Sequence, residues 1–319
     1  MKLSEKERNI LACAQFQANA SASKIRKETG YREHTIRHSL KRMVERGLIK
    51  SYPLINVYAL GYNEIDLLFS LSAEKRSSKA AIVEALNRSP QVASIAELGG
   101  DLEYAVGLCA RNINEVTALI DGLSKQFGGL FFEKHVAINS SRTLFPRKYL
   151  GSNPKSKALS YGPESQVKDI DQTDHVILKA LSNNSYASHH ELAKQLKLPN
   201  STLEYRIRRL EEKKIIAGWG YRVITATAGL QSFKILAFAK GNSSALKDQL
   251  LAFCDKHRSV VSLAACIGNW DYEIKVEVEE SSQLRLITDD LHRCVGQSLN
   301  NLKVLTVLGE SKYSSYPFT

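Results

Sequence analysis

The chain has 319 residues, of which 43% are hydrophobic and 24% charged, a composition typical of a soluble protein with more than one core. No apolar run reaches membrane-spanning length, the N-terminus lacks a signal-peptide pattern, and the five cysteines form no CxxC pair. These features exclude a disulfide framework and predict a cytoplasmic protein in a reducing compartment. The formal net charge of +11 favours an anionic partner such as nucleic acid.

The positive charge is concentrated in particular parts of the chain. Residues 1–52 have a net charge of +7, residues 142–168 of +5 and residues 169–222 of +2. Residues 53–141 and 223–319 have net charges of −3 and zero. We therefore expect nucleic acid to contact the three positively charged segments. Along the chain these are separated by the acidic segment and followed by the neutral one.

Residues 1–52 predict a first three-helix domain, with helices near 4–17, 22–29 and 32–46. Ser4 and Glu7 have the spacing of a capping box. Arginine side chains can hydrogen-bond to guanine, and lysine side chains can bind phosphates. We therefore predict that exposed residues of the third helix contact DNA. These residues are Arg32, His34, Arg37, His38, Lys41 and Arg42.

Residues 53–141 predict a domain with the element order βαββαβ. The strands are predicted at 64–72, 92–98, 102–110 and 131–139, and the helices at 78–87 and 113–127. This order is the ferredoxin-like split βαβ arrangement. Its sheet has one face left to cover, which predicts pairing with a second such domain.

Residues 142–168 predict a basic linker, rich in Ser, Gly, Pro and Lys. It contains the apolar groups Leu144-Phe145-Pro146 and Tyr149-Leu150. We expect these groups to dock on a domain, so that the linker is partly ordered.

Residues 169–222 predict a second three-helix domain, with helices near 171–182, 188–196 and 199–214. Leu203, Ile207 and Leu210 share one helix face, and Pro199 suits the first turn, with Asn200 or Ser201 as the cap. A short helix, a tight turn and a basic helix predict a helix-turn-helix; the alternative is a three-helix subdomain with a solvated basic face. The predicted DNA-contacting residues are Asn200, Ser201, Thr202, Tyr205, Arg206, Arg208 and Arg209.

Residues 223–319 repeat the ferredoxin-like pattern, and the whole chain is a duplication. Strands are predicted at 233–240, 260–267, 271–279 and 302–308, and helices at 244–257 and 281–295. A shift of 167 residues superposes the helical domains, and a shift of 168 sets Gly100–Tyr104 on Gly268–Tyr272. The predicted fold class is α+β, with two helix-turn-helix domains and two ferredoxin-like βαββαβ domains in tandem.

A helix-turn-helix followed by a βαββαβ domain with a Gly-x-x-Asp turn resembles the Lrp/AsnC (leucine-responsive, feast–famine) family of transcription regulators. The resemblance covers nearly the whole chain, once per half, and implies a sequence-specific, nucleoid-associated regulator that binds double-stranded DNA and builds dimers or higher assemblies. The two ferredoxin-like domains of one chain could pair with each other or with those of a second chain, and we expect a homodimer of chains. In the first copy Arg26 occupies the place of Ala193, and Glu103 that of Asp271. The residues that carry the resemblance are Glu191-Leu192-Ala193-Lys194, Ser201-Thr202, Arg206–Glu211, Ile215-Ile216 and Gly268–Tyr272.

The glycine-containing turns of the ferredoxin-like domains resemble the effector-binding segment of that family. The resemblance implies that backbone N–H groups and a nearby acid hold an amino-acid zwitterion. The alternative is a tight hairpin turn that simply needs glycine. The implied residues are Gly99, Gly100 and Glu103 in the first copy, and Gly268, Asn269, Trp270 and Asp271 in the second.

Two other functions remain open. Siroheme decarboxylases resemble the family in fold, but the ferredoxin-like domains have only His135, His257 and His292, and no nucleophile, acid–base pair or phosphate loop is visible. We therefore expect no enzymatic activity, no cofactor and no metal site. A protein that binds DNA without sequence preference is the third alternative.

Overall fold

The computed structural model describes residues 2–151, 156–164, 166–183, 188–241 and 244–318, and the chain divides into two compact units. Unit 1 comprises Met1–Ser51, Ser140–Tyr161 and Trp219–Val307, and unit 2 comprises Tyr52–Asn139, Gly162–Gly218 and Leu308–Thr319. Each unit therefore combines the helix-turn-helix of one repeat with the ferredoxin-like domain of the other. The domain limits read from the sequence remain predictions.

The first helix-turn-helix belongs to unit 1, and its helices are α1 (Glu5–Ala14), α2 (Ala22–Thr29) and α3 (Glu33–Glu45). Ser4 and Glu7 form the predicted capping box. Helix α1 is shorter than predicted, because the chain turns after Ala14 and Gln17 forms a bridge with Trp219. Ile10, Leu11, Ile36 and Met43 fill the core of this domain.

The second helix-turn-helix belongs to unit 2, and its helices are α6 (Gln172–Asn183), α7 (His189–Gln195) and α8 (Asn200–Glu212). Pro199 occupies the N-cap position of α8, and no side chain caps this helix end. The predicted cap at Asn200 or Ser201 is therefore wrong. The Asn200 amide donates instead to Glu204 Oε1, one helical turn further on, at 3.2 Å.

A strand that was not predicted from the sequence follows the third helix of each helix-turn-helix, α3 or α8. These strands are β1 (Ile49–Ile55) and β7 (Ile216–Val223). Pro53 and the Gly-Trp-Gly sequence of β7 interrupt the alternation that marks a strand. In unit 1 the Tyr221 N–H donates to the Gln15 carbonyl at 2.9 Å, and in unit 2 the Asn56 N–H donates to the Ile215 carbonyl at 2.8 Å. These bonds attach each helical domain to the chain that leads to a ferredoxin-like domain.

The ferredoxin-like domain of unit 2 has an antiparallel sheet in the order β3–β4–β2–β5. Its core, between the sheet and the two helices, includes Leu67, Phe69, Val106, Leu86 and Val116. Its elements are β2 (Asn63–Leu71), α4 (Lys79–Arg88), β3 (Val92–Gly99), β4 (Tyr104–Ala110), α5 (Ile113–Phe127) and β5 (Phe131–Leu144).

The ferredoxin-like domain of unit 1 repeats this order, as β9–β10–β8–β11. Ile235, Leu250, Ile274 and Leu291 lie in its core, so the predicted α+β class is confirmed. Its elements are α9 (Thr225–Ala228), β8 (Gln231–Ala239), α10 (Ser244–Lys256), β9 (Val260–Gly268), β10 (Tyr272–Val278), α11 (Ser282–Val295) and β11 (Leu299–Tyr313). Within the ranges that the structure describes, no helix has the length and apolarity needed to span a bilayer.

The last strand of each repeat is longer than predicted and continues into a docked tail. In unit 1 the Phe145 N–H donates to the Val261 carbonyl at 2.9 Å, and in unit 2 the Ser314 N–H donates to the Ala93 carbonyl at 2.7 Å. Val261 and Ala93 are equivalent under the 168-residue shift. Phe145 and Leu150 are both 2% exposed, which confirms that the apolar groups of the linker dock. Strand β6 (Leu159–Tyr161) pairs with the end of β5.

Candidate nucleic-acid interface and effector turns

Helix α3 presents a basic face to solvent. Its buried side is formed by Ile36, Ser39 and Met43. Two of the basic residues have carboxylate neighbours, since Arg37 lies 2.7 Å from Glu33 and Lys41 lies 3.8 Å from Glu45. Such exposed pairs contribute less than about 1 kcal/mol, so they are readily exchanged for phosphate. All six predicted DNA-contacting residues are exposed: Arg32, His34, Arg37, His38, Lys41 and Arg42.

Helix α8 buries the predicted apolar face of Leu203, Ile207 and Leu210. Tyr205 is 61% exposed in the middle of the opposite face. The predicted DNA-contacting residues divide into two groups. Asn200, Ser201, Tyr205 and Arg208 are exposed, whereas Thr202, Arg206 and Arg209 are half-buried.

Arg206 is held by two acids from the start of α6. Its Nη1 lies 2.7 Å from Asp171 Oδ2 and 2.8 Å from Asp174 Oδ1, and the Asp174 side chain is only 2% exposed. The hydrogen bond from Arg206 is the main cause that lowers the pKa of Asp171. Arg206 therefore fixes the position of α8 on α6. This role was not predictable from the sequence, because no local pattern joins residues 32 and 35 positions apart.

Two lysines adopt a backbone conformation that favours glycine. Lys197 has φ = 54° and Lys214 has φ = 56°, and they are the non-glycine residues with positive φ within the described ranges. At the equivalent positions of the first copy are Gly30 (φ = 74°) and Gly47 (φ = 65°). The left-handed conformation costs a residue with a Cβ atom roughly 1–2 kcal/mol. The second copy therefore has a strained residue after α7 and another after α8.

Hydrogen bonds fix the backbone at both lysines. The Leu198 N–H donates to the Ala193 carbonyl at 2.9 Å, and the Ile215 N–H donates to the Leu210 carbonyl at 3.0 Å. This six-to-one bond is the Schellman motif, in which glycine is preferred at the position that each lysine occupies. Both lysine side chains are exposed.

The two glycine turns of the ferredoxin-like domains have the same geometry. Gly100 has φ = 118° and Gly268 has φ = 143°, so both positions require glycine. The Leu98 N–H donates to the Glu103 carbonyl at 2.8 Å, and the Cys266 N–H donates to the Asp271 carbonyl at 2.7 Å. Gly100, Gly268 and Asn269 are exposed, and Gly99 is half-buried.

The acids of these turns already have protein partners. Asp271 Oδ2 accepts a hydrogen bond from the Ala239 N–H at 2.7 Å, and Glu103 lies 3.5 Å from Arg76. Trp270 is 1% exposed, and its Nε1 has no hydrogen-bond partner within the described residues. The second turn thus combines a buried, unpaired donor with an acid that contacts the backbone.

A buried carboxylate centre on β10 was not visible in the sequence. Arg147 Nε and Nη2 donate to the two oxygens of Glu277 at 2.8 and 3.2 Å, and Tyr149 Oη donates to the same carboxylate at 2.5 Å. Burial raises the pKa of Glu277, but the charges of Arg147 and Lys275 outweigh it, so the pKa is lowered overall. Burial lowers the pKa of the neighbouring Lys275 to about 8. The linker residue Arg147 provides the main countercharge.

The three histidines of the ferredoxin-like domains do not share one unit. His135 lies in unit 2, where its Nε2 is 2.5 Å from Glu133 Oε1, and His257 and His292 lie in unit 1. Burial lowers the pKa of His257.

Comparison with known proteins supports the helix-turn-helix and its family. Residues 170–217 match the model of a winged helix-turn-helix DNA-binding domain. The transcriptional regulator FL11 of Pyrococcus furiosus is 29% identical over 120 residues, which are 37% of this chain and 78% of FL11. The leucine-responsive regulatory protein of Salmonella typhimurium is 28% identical over 151 residues, which are 46% of this chain and 90% of that protein. The family model thus matches the second helix-turn-helix, and the chain is similar to Lrp/AsnC-type transcription regulators.

The solved structure of the siroheme decarboxylase NirDL shares the fold of the duplicated chain. The likeness covers 97% of this chain and 92% of NirDL, with a TM-score of 0.62 and 14% sequence identity. Our sequence-based expectation that the chain is not an enzyme is therefore wrong as stated, because the tandem Lrp/AsnC-type architecture is also that of an enzyme.

Proposed function

We propose that this Lrp/AsnC-type protein is a transcription regulator that binds DNA sequence-specifically through α3 and α8. The winged helix-turn-helix match over residues 170–217 carries the proposal. The exposed faces of both helices support it, because base edges and phosphates need exposed Asn, Tyr, Arg and Lys side chains. Assembly as a homodimer remains a prediction.

Selection from random DNA tests this proposal and separates a regulator from a protein without sequence preference. We expect enrichment of one site, and Arg208→Ala, on the exposed face of α8, should weaken binding to it by about 1–3 kcal/mol if the arginine reads a base. Lys125→Ala, on α5 of a ferredoxin-like domain, is the matched control and should not change affinity. Binding without any enriched sequence would contradict the proposal.

We further propose that the turn Gly268–Asp271 binds an amino-acid effector. The unpaired Trp270 Nε1 supports this, since a buried donor without a partner is costly and a ligand carboxylate would satisfy it. Asp271, which would pair with the ammonium group, already accepts a bond from Ala239, so the ligand would use its second oxygen. A thermal-shift screen of the twenty amino acids tests the idea, and the absence of any stabilising amino acid at millimolar concentration would contradict it.

A second candidate function is decarboxylation of a tetrapyrrole such as siroheme. The whole-chain fold shared with NirDL favours it. Mixing the protein with siroheme and recording the visible spectrum is the test. A shift of the absorption bands that saturates at one equivalent would support this candidate, and an unchanged spectrum would contradict it.

A further inference from the structure

The two strained lysines of the second helix-turn-helix lie at opposite ends of its recognition helix. Lys197 precedes the first residue of α8 by three positions, and Lys214 follows its last residue by two. A helix of 13 residues is roughly 20 Å long, whereas the major groove is about 12 Å wide. When such a helix lies in the groove, the residues just beyond its ends are near the phosphates of the groove walls.

We infer that Lys197 and Lys214 are phosphate-binding residues of the second helix-turn-helix. A lysine ammonium on a flexible stem suits a phosphate, which needs a nearby positive charge without fixed geometry. Backbone strain of this kind persists at functional positions. The inference rests on the proposed DNA-binding function and names two residues that the sequence analysis did not select.

The charges of the two copies support the inference. The first copy, residues 1–52, has a net charge of +7 and keeps glycine at both helix ends. The second copy, residues 169–222, has a net charge of only +2, an excess equal to the charge of these two lysines. The copy with little positive charge is thus the one that has lysine in place of glycine.

The effect of glycine at Lys197 and Lys214 on the melting temperature separates phosphate binding from a purely structural role of these lysines. A lysine at a helix C-terminus interacts favourably with the helix dipole, and if that were the reason for its presence, glycine would lower the melting temperature. If strain dominates, glycine relieves it, and the melting temperature rises. Because glycine is the preferred residue in this motif, the substituted protein is expected to fold.

The test compares full-length wild type with the Lys197→Gly/Lys214→Gly double variant. Affinity for a fluorescein-labelled duplex of mixed sequence, several helical turns long, is measured over a range of salt concentrations, together with the melting temperature. We expect several-fold weaker binding and a salt slope shallower by roughly 1.8, since each lost phosphate contact removes about 0.9. The melting temperature should rise by a few degrees.

Lys179→Ala is the matched control, because it removes one exposed lysine from α6 of the same domain without a change in backbone strain. It should leave the salt slope unchanged. An equal loss of slope in this control, or an unchanged slope in the double variant, would overturn the inference and leave the proposed function intact. Wild-type protein that binds no duplex at any salt concentration would instead refute the DNA-binding function, and the inference with it.

Discussion

Arg147→Met is expected to lower the free energy of unfolding of unit 1 by about 3–5 kcal/mol, because it leaves the buried carboxylate of Glu277 without its main countercharge. The Glu277 side chain is 1% exposed, and among its hydrogen-bond donors in the described part of the chain only Tyr149 would remain. Both tryptophans, Trp219 and Trp270, belong to unit 1. Urea unfolding followed by tryptophan fluorescence therefore reports on this unit.

The pH dependence of this loss has a definite sign. In the wild type the pKa of Glu277 lies below its ordinary value of 4.5, so its contribution is present above pH 4.5 and is lost as the pH falls through the lowered pKa. In Arg147→Met, the Lys275 charge and the Tyr149 hydrogen bond oppose burial without the arginine, and the pKa should rise above 4.5. The variant should then gain stability as the pH falls from 7 towards 4.5, whereas the wild type keeps the Glu277 contribution over this range and loses it only at lower pH.

Two variants separate the ion pair from general damage to the linker. Lys148→Met removes the adjacent lysine, which pairs at 3.6 Å with the exposed Asp255, and should cost less than about 1 kcal/mol. Adding Glu277→Gln to Arg147→Met removes the buried charge and should recover most of the stability. A double variant as unstable as Arg147→Met would show that packing of the arginine, and not charge, is responsible.

Tyr316→Ala is expected to destabilise unit 2 by about 3–5 kcal/mol, the range for a buried aromatic residue. Tyr316 is 2% exposed, and its hydroxyl hydrogen-bonds to His175 Nδ1 on α6. Phe318 packs edge-on against Tyr316, with ring centroids 5.0 Å apart, and stacks on Tyr62 at 3.9 Å. The tail after β11 thus connects the second helix-turn-helix to the ferredoxin-like domain of its unit.

The loss of stability in unit 2 can be measured separately because unit 2 contains no tryptophan. Thermal unfolding followed by far-ultraviolet circular dichroism detects both units, whereas tryptophan fluorescence detects unit 1. We expect Tyr316→Ala to lower the transition seen by circular dichroism more than that seen by fluorescence. Tyr316→Phe retains the ring and should cost only about 1 kcal/mol, from the hydrogen bond to His175; a loss as large as that of alanine would mean that the hydrogen bond, and not burial, anchors the tail.

The sequence predicted the elements well, because periodicity is a local property. Helix α5 occupies Ile113–Phe127 as predicted, and the apolar face of α8 is buried as expected. The sequence could not show which helix-turn-helix joins which ferredoxin-like domain, since both copies have the same pattern. Nor did the sequence reveal the partners of Arg147 or Arg206, because these partners lie 130 and up to 35 positions away and no local pattern joins them.

The candidate site was predictable only where exposure follows from helical periodicity. The basic faces of α3 and α8 could be read in this way, whereas the half-buried position of Arg206 depends on two acids of another helix. The strain at Lys197 and Lys214 was also hidden, because lysine gives no local signal for a positive φ. Comparison with Gly30 and Gly47 would have been the available signal, since the 167-residue shift aligns them.

The exchange of segments between the two repeats constrains how the chain can fold during synthesis. When the first 161 residues have left the ribosome, unit 1 still lacks Trp219–Val307, and unit 2 lacks Gly162–Gly218 and its C-terminal tail. The Lys2 N–H donates to the Ala228 carbonyl at 2.7 Å, and this hydrogen bond cannot form until Ala228 has been synthesised. Contacts so distant in sequence form slowly, so neither unit can be completed until translation is nearly finished.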